Sequence, residues 1–236
     1  MIRYAIRPEV FELFPQYLRG VVVAEDVRNG QSPPELVAML RDAEALVRAR
    51  VPAEVVAEHP NLKPWREAFK VFGARPSDYR ASVEALVRRV VKGQKLPSIN
   101  QIVDIGNLVS LRHLVPAGAH ALDEVKHDLC VRRATGSERF TAFQSDEVEH
   151  PEPGEIIFTE GEVVLVRRWV WRQAQHTVVM PDSCVVEFNI DGLPPMTTKD
   201  DILSICNEVV SLLSLFCGGR SRVEVLASDN AEIELP

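Results

Sequence analysis

The chain opens with two apolar runs and then changes to helical spacing. Arg3 to Arg7 and Leu18 to Val27 read as strands joined by a short turn, the second centred on Val21-Val22-Val23. Ser32-Pro33-Pro34-Glu35 predicts a helix start, with Ser32 as cap, Pro33 at the first helical position and Glu35 completing a capping box. Leu36, Met39, Leu40, Ala43, Leu46 and Val47 then recur on one helical face. Pro60 to Phe72 predicts a second helix with Trp65, Phe69 and Phe72 aligned, ended by Gly73-Ala74-Arg75-Pro76. Ser82 to Val91 predicts a third, stopped at Lys92-Gly93. Ser98-Ile99-Asn100-Gln101 reads as another capping box and opens a helix through Leu111 with Ile102, Ile105 and Val109 inward.

The second half is patterned for strands. Cys130 to Ala134, Arg139 to Phe143, Ile156 to Thr159, Val163 to Val170 and Cys184 to Ile190 are short candidates separated by proline, glycine and acid clusters. Thr198 caps a long helix to Phe216, which Gly218-Gly219 stops, and Ser221 to Leu226 is a last strand. The expectation is an α+β fold, helical in its N-terminal half, with mostly antiparallel strands packed against helices. One domain is expected over residues 1–228, with 229–236 an acidic C-terminal tail that frays.

Composition narrows the class. A chain of 236 residues that is 46% hydrophobic and 26% charged buries a sizeable core as an ordinary globule. No apolar run reaches the length of a membrane span, and Met1-Ile2-Arg3-Tyr4-Ala5 lacks a signal-peptide hydrophobic region, so cytoplasmic residence without membrane partners is expected. Cys130, Cys184, Cys206 and Cys217 show no zinc spacing and read as reduced, mostly buried thiols. The net charge of −7 is unevenly spread. Between residues 61 and 100, Lys63, Arg66, Lys70, Arg75, Arg80, Arg88, Arg89, Lys92 and Lys95 face only Glu67, Asp78 and Glu84, while residues 141–162 carry seven acids and neither lysine nor arginine. The basic segment reads either as a solvated helical surface or as a face that docks a phosphate backbone.

The densest chemistry lies in Arg167-Arg168-Trp169-Val170-Trp171-Arg172-Gln173-Ala174-Gln175-His176-Thr177. Alternation predicts a strand with the aromatics on one face and Arg168, Val170 and Arg172 on the other. Guanidiniums beside indoles suit anions, esters or nucleotides; they also suit a sheet edge with snorkelling arginines. Phosphate-loop, dinucleotide-binding, nucleophile-elbow and zinc-protease signatures are absent, so the expectation is no metal and no cofactor.

Leu96 to Leu111, with Tyr79 to Leu86 before it, resembles the B3/B4 domain family, which occurs in the beta subunit of phenylalanyl-tRNA synthetase and as free-standing proteins of about this length. Gly118-Ala119-His120-Ala121-Leu122-Asp123, Pro153-Gly154-Glu155-Ile156-Ile157 and Arg168 to Gln173 extend the likeness over roughly residues 60–215. The synthetase catalytic core and its class-defining motifs are missing, so the resemblance is to the free-standing form. It implies a B3/B4-like fold and a trans-acting aminoacyl-tRNA deacylase, an ester hydrolase of translation quality control.

By that resemblance Asn107 falls on the asparagine of a Val-Asp-x-x-Asn motif, and His120 on the histidine lining the editing pocket; these are the candidate catalytic positions. Glu187 corresponds to the glutamate that contacts the edited side chain. Ser110, Arg168, Trp169, Trp171, Arg172, Gln173, Thr177 and Glu187 are the candidate substrate-binding set. Lys63, Arg66, Arg80, Arg88, Arg89, Lys92 and Lys95 are the candidate contacts to tRNA. The ordinary readings stand beside these: a buried asparagine bonding a loop, a loop histidine, a solvent-facing strand glutamate, and ion pairs from Arg168 and Arg172 to the acidic stretch. Tyrosine on tRNA for phenylalanine and an arginine analogue such as canavanine on tRNA for arginine both remain open as substrates. So do a non-catalytic RNA-binding module and a protein that binds a free amino acid.

Overall fold

The computed structural model describes residues 2–196 and 198–235. Its elements run β1 (Ile2–Ile6), α1 (Pro8–Leu13), β2 (Leu18–Glu25), α2 (Pro34–Arg50), α3 (Lys63–Val71), α4 (Ser82–Val91), α5 (Gln101–His113), β3 (Ala117–Ala121), β4 (Leu129–Arg133), β5 (Phe140–Thr141), β6 (Val148–Glu149), β7 (Ile156–Glu160), β8 (Val163–Arg167), β9 (Arg172–Gln173), β10 (Val186–Gly192), α6 (Lys199–Phe216), β11 (Arg220–Leu226) and β12 (Glu232–Leu235). The fold is α+β, as the pattern predicts. One sheet has the order β12-β1-β4-β7-β8-β9 and a second the order β11-β2-β10-β3. Among the described strand pairs only β1 and β4 are parallel, apart from an isolated parallel bridge between Arg139 and Val163. None of the described helices is long and apolar enough to cross a membrane.

The second sheet is covered on both faces, and alternation assigns each residue to one of them. Gly20 of β2 faces α6: a Cβ there would lie 2.6 Å from Ile202 Cγ2 and closer still to Cys206 Sγ, so only glycine permits this approach. Phe188 and Gly192 of β10 face the same way, towards Gly106 of α5 and Ile202 of α6. Arg19, one residue from Gly20, therefore faces the first sheet, where its guanidinium lies 4.9 Å from the Phe158 ring centroid. Glu187, Asn189 and Asp191 of β10 share that face, and register places His120 of β3 beside Glu187. This produces a polar layer inside the protein, between two sheets whose remaining contacts are apolar.

Several local expectations are corrected. The turn between the first two strands contains the short helix α1, whose Pro8 suits the first helical position. Neither serine caps its helix. Ser32 Oγ donates instead to Asp104 Oδ2 at 2.7 Å, Ser98 Oγ donates to the same oxygen, and the cap of α5 is Asn100, which accepts from Val103 N at 3.0 Å. A buried carboxylate is a stronger acceptor than the competing arrangement offers these hydroxyls. The C-terminal segment does not fray: Glu232–Leu235 pairs antiparallel with β1. Of the four thiols, Cys206 and Cys217 are buried, Cys130 is partly so and Cys184 is exposed. Thr198 caps α6 as expected, in a capping box with Asp201.

Candidate functional site

The continuous strand expected through Val170 breaks at two consecutive left-handed residues, Arg168 (φ 47°) and Trp169 (φ 65°). Val170 N donates back to Arg168 O at 2.6 Å, closing a γ-turn of the rare positive-φ kind. Two such non-glycine residues cost on the order of 1–3 kcal/mol each, which the surroundings must offset. Arg168 N donates to buried Glu155 Oε1 at 2.9 Å, and Val170 O accepts from Ser82 N at 2.8 Å. The break sends successive side chains in directions a strand would not allow. Trp169 becomes buried among Phe14, Tyr17 and Trp65, with ring centroids 4.5–5.2 Å away. Trp171 instead meets Tyr79 at 4.9 Å.

Between this turn, α4, α5, β3 and β10 lies a cavity of about 340 Å³. Helical spacing delivers Val103, Gly106 and Asn107 to it from one side of α5, and Ser82, Ala85 and Leu86 from α4. Space exists because small residues line it: Gly106, Gly118 and Ala119 stand where larger side chains would fill it. Its polar side chains include Ser82, Asn107, His120, Arg172, Gln173, Asn189 and Asp191.

His120 is buried and held through Nδ1, which lies 2.7 Å from Thr177 Oγ1 and 3.2 Å from Gln173 Nε2. Gln173 Nε2 also touches the carbonyls of Ala119 and Thr177, at 3.0 and 3.1 Å, so it is the donor end of the amide. The two hydrogens of that amide go to the two carbonyls, and the Thr177 hydroxyl can donate to Nδ1; in that arrangement the ring proton resides on Nε2. Burial, reinforced by the Arg19 charge, pushes His120 down to about 3, so the ring is neutral. It can donate a hydrogen bond, but it is far too weak a base to remove a proton efficiently near neutrality.

Below the cavity the polar layer is closed on itself. Asp191 accepts from Arg19 Nε at 2.7 Å and Arg19 Nη2 at 2.9 Å, and from the Tyr17 hydroxyl. Arg19 Nη1 donates to Tyr4 Oη at 2.8 Å, and Tyr4 donates to Glu187 Oε1 at 3.1 Å. Both ends of the Arg19–Asp191 pair are 1% exposed, so each charge depends on the other. Glu187 is pushed up to about 7, burial being the main cause.

The sequence-predicted residues therefore divide. Asn107, His120, Trp169, Trp171, Arg172 and Gln173 line one cavity. Thr177 stands behind His120 and orients it. Ser110 is turned away, its hydroxyl donating to Val115 O at 2.7 Å. Glu187 is fully buried on Tyr4 and does not line the cavity; the carboxylate that does is Asp191, four residues on and on the same face. Arg168 lies behind the turn, 3.5 Å from Glu155. Arg172 reaches the cavity and also pairs with Glu149 at 3.2 Å, so the expected ion pairs to the acidic stretch coexist with the site. Arg19, Asn189 and Asp191 were not among the candidates. Arg19 was signalled by a charge inside the apolar run Leu18 to Val27.

The expected tRNA-facing cations also divide. Lys63 pairs with Glu58 at 2.8 Å. Arg66 and Arg88 both bind buried Glu84 at 2.8 Å, with Arg80 at 4.0 Å from the same oxygen, so these three are tied to the helix packing. Arg89, Lys92 and Lys95 are exposed and without an ion-pair partner among the described residues. Arg89 continues the α4 stripe of Ser82, Ala85 and Leu86 outward from the cavity.

The sequence profile of the B3/4 domain family matches residues 64–209, which contain every segment lining the cavity. No curated protein matches the chain. Among solved structures the chain is similar to an N-terminal fragment of the phenylalanyl-tRNA synthetase beta-subunit from Pyrococcus horikoshii, at 13% identity and a TM-score of 0.48. The likeness covers 99% of this chain and 54% of that one, so the chain spans about half the length of that fragment.

Proposed function

We propose, for a chain that belongs to the B3/4 domain family, that it hydrolyses the ester of a mischarged tRNA, acting in trans as an aminoacyl-tRNA deacylase. The observation that carries this reading is the convergence of Asn107, His120, Arg172 and Gln173 on one cavity from three separate stretches of chain. A volume of about 340 Å³ is at the small end of ligand sites and suits an amino acid with its ester linkage.

An aminoacyl ester is already activated, so hydrolysis needs placement, one aligned water and donors for the developing oxyanion. The Asn107 amide and the neutral His120 Nε2–H are those donors. Since His120 stays unprotonated down to about 3, the water loses its proton elsewhere, and the vicinal ribose hydroxyl of the substrate is suited to assist. Asp191 and Asn189 lie where the substrate's polar groups would end. Tyrosyl and canavanyl esters both present groups that pair with that floor. Arg89, Lys92, Lys95 and Arg172 are the cations available to phosphates.

Incubation with a panel of mischarged tRNAs tests the reading. Ester loss above the spontaneous rate for at least one pair is expected, abolished in N107A with tRNA binding kept. No accelerated loss for any pair would overturn it; loss of binding together with hydrolysis would point to a binding module.

A further inference from the structure

Trp171 is the one large aromatic that lines the cavity without being fully buried. Its setting is unusual. Arg168, only 5% exposed, lies 3.5 Å from the Tyr79 ring centroid and 4.6 Å from that of Trp171. Arg168 Nη1 is buried and has no hydrogen-bond partner. An unpaired buried donor is costly, and the contacts that hold the guanidinium here are the two rings and Glu155. Arg168 does not line the cavity, whereas Trp171 does. A cation therefore braces the indole from behind, Tyr79 meets it edge-on at 77°, and the left-handed pair Arg168–Trp169 fixes the backbone that carries it.

We propose that Trp171 is a stacking platform for a purine base, and that Arg168 is the residue that positions it. This rests on the deacylase reading for the origin of the base, the 3′-terminal adenosine of a tRNA. A cavity of about 340 Å³ cannot enclose an aminoacyl group, a ribose and a base together, so the base is left at the mouth. Of the lining residues Ala85 and Arg172 are exposed, and Trp171, half-buried, adjoins Arg172 in the chain and is the flat apolar surface beside it. An indole held in place before binding loses little freedom on stacking. A face that stacks reads no hydrogen-bond edge, so it tolerates different bases. Placing the base there points the ribose and its ester inward to Asn107 and His120.

The test uses short 5′-labelled RNA ending in CCA, and the same RNA whose last residue is an abasic ribose, with binding read by fluorescence anisotropy on the full chain. The wild type is expected to bind the base-bearing RNA about 5- to 150-fold more tightly, the range for one base–aromatic stack. W171A is expected to lose that preference and W171F to keep most of it. R168M is expected to weaken the preference and to shift the indole emission, with R168K restoring both in part. Equal binding of the two RNAs by wild-type protein overturns the proposal without recourse to any variant. Base-independent binding alongside active ester hydrolysis removes the platform and leaves the deacylase reading intact; base-dependent binding with no hydrolysis does the reverse.

Discussion

Replacing Glu187 by glutamine isolates one buried charge. The carboxyl has an ordinary value of 4.5 and is pushed up to about 7 in the folded chain, because burial outweighs the Arg19 cation and the Tyr4 hydrogen bond. A group whose folded value is raised gives stability that is fully present below its unfolded value and is lost as pH rises through its folded value. The wild type therefore loses stability between about pH 4.5 and pH 7. At about 1.4 kcal/mol per pH unit, that displacement corresponds to about 3 kcal/mol. Glutamine keeps an oxygen for Tyr4 Oη, now 3.1 Å from Glu187 Oε1, and does not ionise. Urea unfolding of both proteins at pH 4, 5, 6, 7 and 8 gives the difference in stability, from which groups common to both cancel. E187Q should gain on the wild type as pH rises, by about 3 kcal/mol in all, and level off near pH 8. A difference that does not change with pH would refute the buried, raised carboxyl and the closed Arg19–Tyr4–Glu187 arrangement behind it.

Other outcomes follow from the same geometry. R19M strands the Asp191 charge and should cost about 3–5 kcal/mol, while R19M/D191L together recover most of it; urea melts of the three proteins read the contrast. Because His120 remains neutral down to about 3, the pH profile of ester hydrolysis between pH 5 and 8 should have the same shape in wild type and H120N. The variant should be slower by roughly two orders of magnitude, as for loss of one oxyanion donor, and a wild-type inflection near 6.5 absent from H120N would contradict the neutral ring. N100A removes the true cap of α5 and should cost about 1 kcal/mol, seen by calorimetry as a fall of about 2–4 °C for a chain of this size.

Periodicity made α4, α5 and α6 legible, because their apolar faces repeat over more than two turns. It misplaced the caps of α2 and α5 because both serines lie within reach of Asp104, a residue distant in the chain from Ser32. The alternation across Arg167 to Thr177 was real as a pattern and wrong as a strand. Nothing local in Arg168-Trp169 announces two left-handed residues, and it is Glu155 and Ser82, contributed by other elements, that hold them. Asn107 and His120, named from the resemblance, both line the cavity. Glu187 does not line it, since a strand glutamate and the aspartate four residues later lie on one face and the position along the strand decides which meets the cavity. His120 is a candidate catalytic position in the sequence; its depth, which keeps the ring neutral, is legible only in the fold.

The position of β1 has a consequence for synthesis. Tyr4 is bonded in register to Leu129 on one side and to Ile233 on the other. β1 thus waits for β12, which follows every other described element, and keeps an open edge until that strand is made. Chains truncated ahead of residue 232 should be prone to aggregate or to demand chaperones, even though they retain every residue around the cavity.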